Sequence, residues 1–177
     1  YFGGHSDISA GAVATKQEHI DTIWNLAKNL GGNLSDFMVW MLERSMKTLA
    51  IRIKAQQKNA KKIAKILNKN EAISRVYYPG LKSHPDYRIA KKQMKGFGAM
   101  VSFDLVEGID AEQFLKSLKL IKPSMSLAGV ESTMILPAMT SHALLTPEDR
   151  AAQGIKDGLI RFSVGLEEVD DLMDDIE

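Results

Sequence analysis

The chain has 177 residues, 45% hydrophobic and 25% charged, enough apolar material for one sizeable domain or parts of two, and too much for a disordered chain. A net charge of +1 gives no electrostatic case for nucleic acid or an anionic membrane, and no apolar run is long enough to cross a bilayer. The absence of cysteine removes disulfides, thiol nucleophiles and cysteine metal sites together, and fits a cytoplasmic protein.

The chain opens Tyr1-Phe2-Gly3-Gly4-His5-Ser6-Asp7, without a starting Met, and reads as the middle of a fold. The expectation is a longer polypeptide, covalently continued upstream of Tyr1. Ile8 to Thr15 is rich in small residues and predicts a buried strand. His5, Ser6 and Asp7 are adjacent in an extended turn, cannot converge on one another, and so do not form a catalytic triad. Glu18 to Leu30 predicts a helix on the spacing of Ile20, Ile23, Trp24 and Ala27, stopped by Gly31-Gly32. Ser35 or Asp36 caps a longer helical run to Leu67, bent near its middle. Lys54, Lys58, Lys61, Lys62, Lys65 and Lys69 on this run read as a solvated face.

A second unit is expected from about Glu71. Ile73 to Tyr78 predicts a strand ended by Pro79-Gly80. Tyr77 and Tyr78 fit a half-buried strand, or stacking on a ligand. A helix from His84-Pro85 to Met94, a strand over Ala99–Leu105 and a helix capped by Asp110 follow. Ser124 to Thr133 is small and polar, a loop of the kind that approaches a ligand with its backbone. Thr146-Pro147 starts another helix, and Glu167 to Glu177 a last acidic one. Strands and helices alternating this way predict an α+β sandwich with a mostly antiparallel sheet.

Between those helices lies Leu159-Ile160-Arg161-Phe162-Ser163-Val164, alternating as a strand does. A guanidinium in so apolar a run is costly to bury unless an anion meets it, and its planar fork matches a carboxylate bidentately. That carboxylate could be an internal Asp or Glu, Arg161 could reach solvent at a strand edge, or the partner could be a ligand.

The opening Tyr1-Phe2-Gly3-Gly4-His5-Ser6-Asp7-Ile8 resembles the segment after the Schiff-base lysine in the Cys/Met-metabolism enzymes that use pyridoxal phosphate. That family includes cystathionine γ-lyase, γ-synthase and β-lyase and methionine γ-lyase. The resemblance runs on through Glu43–Leu49, Val76–Leu81, Ser126–Ser132 and Ile160–Glu167. It implies an α/β chain of the type I aminotransferase-like fold. Residues 1–35 would end the large cofactor domain, 36–70 would link, and 71–177 would form the C-terminal domain. The Schiff-base lysine would lie immediately before Tyr1, so no catalytic or cofactor-binding residue is assigned within the chain, and no metal ligand. Arg161 would hold the substrate's α-carboxylate, with Ser126 assisting.

The implied activity is transsulfuration at the γ-carbon of cystathionine-like or activated homoserine substrates, in a cytoplasmic homotetramer built from two dimers. Methionine γ-lyase and cystathionine β-lyase are the alternatives within the family, and a non-catalytic assembly module the alternative outside it. Met125 stands where γ-lyases and γ-synthases usually carry Glu and is the expected specificity position. Ala128 replaces a common Gly, and Ser141 a frequent Thr.

Overall fold

The computed structural model describes residues 1–177. Five strands, β1 (Ile73–Tyr77), β2 (Met100–Leu105), β3 (Lys122–Pro123), β4 (Thr133–Ile135) and β5 (Leu159–Ser163), form one sheet in the order β1-β2-β5-β4-β3. Every neighbouring pair is antiparallel except β3 with β4, so the mostly antiparallel sheet expected from sequence is the one observed. The Arg161 strand is its centre, with Arg161 opposite Ser102 on β2 and Ile135 on β4. Both outer strands are blunted. β1 carries an irregularity between Ile73 and Arg75, and β3 is two residues long and contains Pro123.

The alternation along β2 and β5 sends Val101, Phe103, Ile160 and Phe162 to one face, all fully buried. Against them pack Ala60, Ile63, Ala64 and Leu67 of α3 (Leu49–Leu67) and Leu172 and Met173 of α7 (Val169–Ile176). Each such Ile, Leu or Phe contributes about 1.5–3 kcal/mol of burial, so this face anchors the sheet and leaves the Arg161 face for other work. The lysines of α3 are all exposed, as expected for a solvated face. Tyr78 is buried in the core and donates to Gly98 O at 3.1 Å, which favours the packing reading of the tyrosine pair. Burial and the neighbouring Tyr1 push its phenol up to about 12.

The remaining helices are α1 (Gln17–Leu30), α2 (Asp36–Met46), α4 (Tyr87–Gln93), α5 (Ala111–Ser117) and α6 (Pro147–Ala152). Gly31 ends α1 in the left-handed region, and Ser35, Asp110 and Thr146 cap α2, α5 and α6 with their side chains. No helix is long and apolar enough to cross a membrane.

Three expectations need correction. Ile8–Thr15 is not a buried strand. It is irregular, and Ser9 to Thr15 are exposed, because no strand of this chain runs beside it to take its backbone groups. The long helical run is two helices. Thr48 Oγ1 bonds back to Ser45 O, and Arg52 donates to the same carbonyl at 2.9 Å, which takes it out of the helical ladder. The helix expected from His84 starts at Tyr87, because the His84 ring accepts the Asp86 N–H and holds a turn there.

Candidate functional site

Arg161 is half-buried in mid-sheet. One terminal nitrogen donates to Met125 O at 3.0 Å and Ser126 O at 3.3 Å. Its Nε is buried and has no partner. No carboxylate of this chain pairs with it, so the internal Asp or Glu considered from sequence is not found. Burial pushes its guanidinium below the usual arginine value, yet the group stays cationic at neutral pH. A buried donor with an empty direction and a fixed positive charge suits a planar anion. Arg161 therefore meets the backbone of Met125 and Ser126, whose side chains line the two neighbouring concavities.

The loop after β3 supplies that meeting point. Ser124 Oγ accepts Ser126 N–H, and Ser126 O also accepts Thr133 Oγ1 at 2.9 Å. Ala128 adopts φ +60, where a side chain is strained, and its N–H donates to Ser163 Oγ at 2.7 Å on the Arg161 strand. Met125 is exposed at the mouth of an apolar groove of about 340 Å³ that includes Leu115, Pro123, Met134, Leu136 and Met139.

The first residues of the chain close the other side. Ser6 Oγ lies 3.1 Å from Ser126 Oγ, and Gly4 O accepts Val130 N–H at 2.8 Å. Tyr1, Gly3, Gly4 and Ser6 face Ser126 to Gly129 across a concavity of about 320 Å³. Gly4 has φ +76, and a Cβ there would run into the Arg52 guanidinium.

Residues that sequence reasoning passed over hold this arrangement. Arg52 donates to Tyr1 O at 2.8 Å and to Thr48 Oγ1 at 3.0 Å, besides Ser45 O. Gln56 donates to Gly129 O at 2.6 Å and Val164 O at 3.3 Å, and Asn59 to Glu167 O at 2.9 Å. Ser132, fully buried, donates from its N–H and Oγ to the Glu167 carboxylate at 2.6 and 2.8 Å, and its Oγ accepts Gly165 N–H at 2.8 Å. The available signal was positional: Arg52 and Gln56 interrupt the buried face of α3, where apolar residues belong.

Taken together, the geometry defines an α/β unit in which one cationic fork is held by the carbonyls of a loop whose next residues, with the opening turn, line a shallow concavity. A description of the Cys/Met metabolism PLP-dependent enzymes matches residues 1–177. The chain is 46% identical over 178 residues to a cystathionine beta-lyase of Lactococcus lactis subsp. cremoris, covering 100% of this chain and 47% of that protein. It is 46% identical over 180 residues to an L-methionine gamma-lyase of Fusobacterium nucleatum subsp. polymorphum, covering 100% of this chain and 46% of that protein. A solved cystathionine gamma-lyase from Lactobacillus plantarum, complexed with L-serine, superposes with a TM-score of 0.94 at 43% identity, over 99% of this chain and 46% of that one. The chain thus belongs to the Cys/Met metabolism family of pyridoxal-phosphate-dependent enzymes, and it spans about half the length of the curated relatives it matches.

Proposed function

We propose that this chain supplies the substrate-carboxylate site of a pyridoxal-phosphate enzyme acting at the γ-carbon of cystathionine-like or activated homoserine substrates. The observation that carries the reading is the buried, unpartnered Nε of Arg161 beside a guanidinium otherwise engaged only with neutral carbonyls. That donor set fits an amino-acid carboxylate. In this reading the cofactor borders the concavity beside Tyr1, Ser6 and Ser126, whose lining carries no charged side chain, so the groups that hold the cofactor come from elsewhere.

When bound, pyridoxal phosphate would supply the electron sink for proton removal at the amino-bearing carbon, which precedes departure of the γ-substituent. Arg161 binds the α-carboxylate and fixes the orientation of the substrate about that carbon. Met125 O and Ser126 O hold the guanidinium in its plane, so its free edge points in one direction. Ser126, whose Oγ lies 3.1 Å from Ser6 Oγ, takes the assisting role at the carboxylate that the family resemblance implies.

In the same reading, residues 1–35 belong to a large cofactor domain, 36–70 link, and 71–177 form the C-terminal domain. The working form is a homotetramer in the cytoplasm. Trp24, Leu30, Phe37 and Trp40 are exposed on α1 and α2, and so broad an apolar surface supports burial against further protein. A second reading, methionine γ-lyase or cystathionine β-lyase activity, is favoured by Met125, an apolar residue at an apolar groove.

Product analysis on cystathionine, methionine, cysteine and an O-acyl homoserine tests these readings. Release of cysteine and 2-oxobutanoate from cystathionine, or replacement at the acyl homoserine, is expected. Homocysteine and pyruvate from cystathionine would mark β-cleavage. Preferential thiol release from methionine would mark a methionine lyase. No turnover in cofactor-loaded protein would leave the assembly-module reading.

A further inference from the structure

The buried face of α3 changes character along its length. Its C-terminal half, Ala60, Ile63, Ala64 and Leu67, packs in the core. Before them it presents Arg52 and Gln56, both buried, and the partly buried Asn59, at the i, i+4, i+7 spacing of one helix face. All three donate to backbone carbonyls of segments far away in sequence. Arg52 takes Tyr1 O, Gln56 takes Gly129 O and Val164 O, and Asn59 takes Gly165 O and Glu167 O. Those segments are the three that make up the site: the opening turn, the Ser126 loop and the end of the Arg161 strand.

Gln56 is poorly placed for stability. It is 1% exposed, and while its amide nitrogen serves two carbonyls, its Oε1 is buried without a partner. A buried unsatisfied oxygen calls for an explanation. The geometry supplies one, because Gln56 joins the loop three residues past Ser126 to the strand three residues past Arg161. We propose that the Arg52–Gln56–Asn59 stripe is the positioning element of the carboxylate site, with Gln56 setting the distance between Arg161 and the loop whose carbonyls orient it. Gln56 touches no reacting atom; it acts through Arg161. The proposal rests on the carboxylate role of Arg161.

The test uses the cofactor-loaded protein that carries this chain, as wild type and as Gln56→Met, which keeps the side-chain length and removes the amide. The dissociation constants of L-alanine and L-alaninamide are read from the change each causes in the visible absorbance of the bound cofactor, and thermal melting is recorded alongside. The variant is expected to weaken L-alanine roughly tenfold or more while leaving L-alaninamide within about twofold, because misplacement of the fork affects the carboxylate alone. Unchanged L-alanine affinity would overturn the proposal. So would equal weakening of both ligands, which would make Gln56 a brace for the whole fold. A wild type that does not distinguish acid from amide would instead overturn the role of Arg161, and this proposal with it. If Gln56→Met fails to fold, Gln56→Asn keeps an amide but withdraws it by one methylene, and carries the same readout.

Discussion

Replacing Arg161 with Lys tests the carboxylate reading most directly. The guanidinium already commits one terminal nitrogen to Met125 O and Ser126 O, at 3.0 and 3.3 Å, and leaves Nε unpartnered. A bidentate carboxylate needs two further donors, which the planar fork has. Lysine offers a single nitrogen, which must choose between the loop carbonyls and the ligand, so at least one charge-assisted hydrogen bond is lost. Such a bond contributes about 1.5–3 kcal/mol. At about 1.4 kcal/mol per tenfold, kcat/KM should fall by roughly 10- to 150-fold. Both parameters should move: KM rises with lost binding, and kcat falls because a singly held carboxylate no longer fixes the orientation at the α-carbon. Steady-state kinetics at matched cofactor occupancy measures this. Wild-type kcat/KM in Arg161→Lys would refute the reasoning.

At the groove, Met125→Glu places a carboxylate where a distal ammonium would meet it, and should shift the ratio of kcat/KM values toward cystathionine over methionine; no shift would remove Met125 as a specificity position. Ser132→Ala takes the acceptor from Gly165 N–H and one donor from Glu167 in a fully buried setting, and should lower unfolding free energy by about 2–4 kcal/mol in denaturant titration. Asp175 accepts the N–H groups of Lys119, Leu120 and Ile121 at 2.7 to 3.0 Å. Burial works to raise its pKa, but these three donors outweigh burial and hold it below the ordinary 3.8. Its stabilisation is therefore present above about pH 4 and is lost as pH falls through the depressed value. Asp175→Asn should flatten stability against pH in that acid range and leave its slope near neutrality unchanged.

The sheet was readable because its signals are local. Alternation placed β2 and β5, caps placed α2, α5 and α6, and an arginine inside an apolar strand was conspicuous without any partner in view. Ile8–Thr15 misled because small and β-branched residues describe a strand's environment, not the presence of a neighbour to pair with. Gln56 was hidden for a related reason. Its partners, Gly129 and Val164, lie 73 and 108 residues away, and no periodicity in a single helix records contacts over that range. Glu167 and Ser132 stood in segments that carried the family resemblance, but their mutual bond became visible only once the chain past β5 brought Gly165 and Glu167 against Ser132.

The blunted outer strands bear on how this unit behaves when its apolar surfaces are uncovered. A sheet recruits another chain through free N–H and C=O groups along a flat, open margin. On the β3 side the margin is two residues long, and Pro123 has no N–H to offer. On the β1 side, the irregularity between Ile73 and Arg75 kinks the margin and Arg75 sets a charge on it. Two copies of the chain that meet can adhere through the exposed Trp24 or Trp40, while the short and irregular margins disfavour adding strand to strand. Misassembly by that route is side-chain adhesion, which dilution can reverse, and not growth of a fibril.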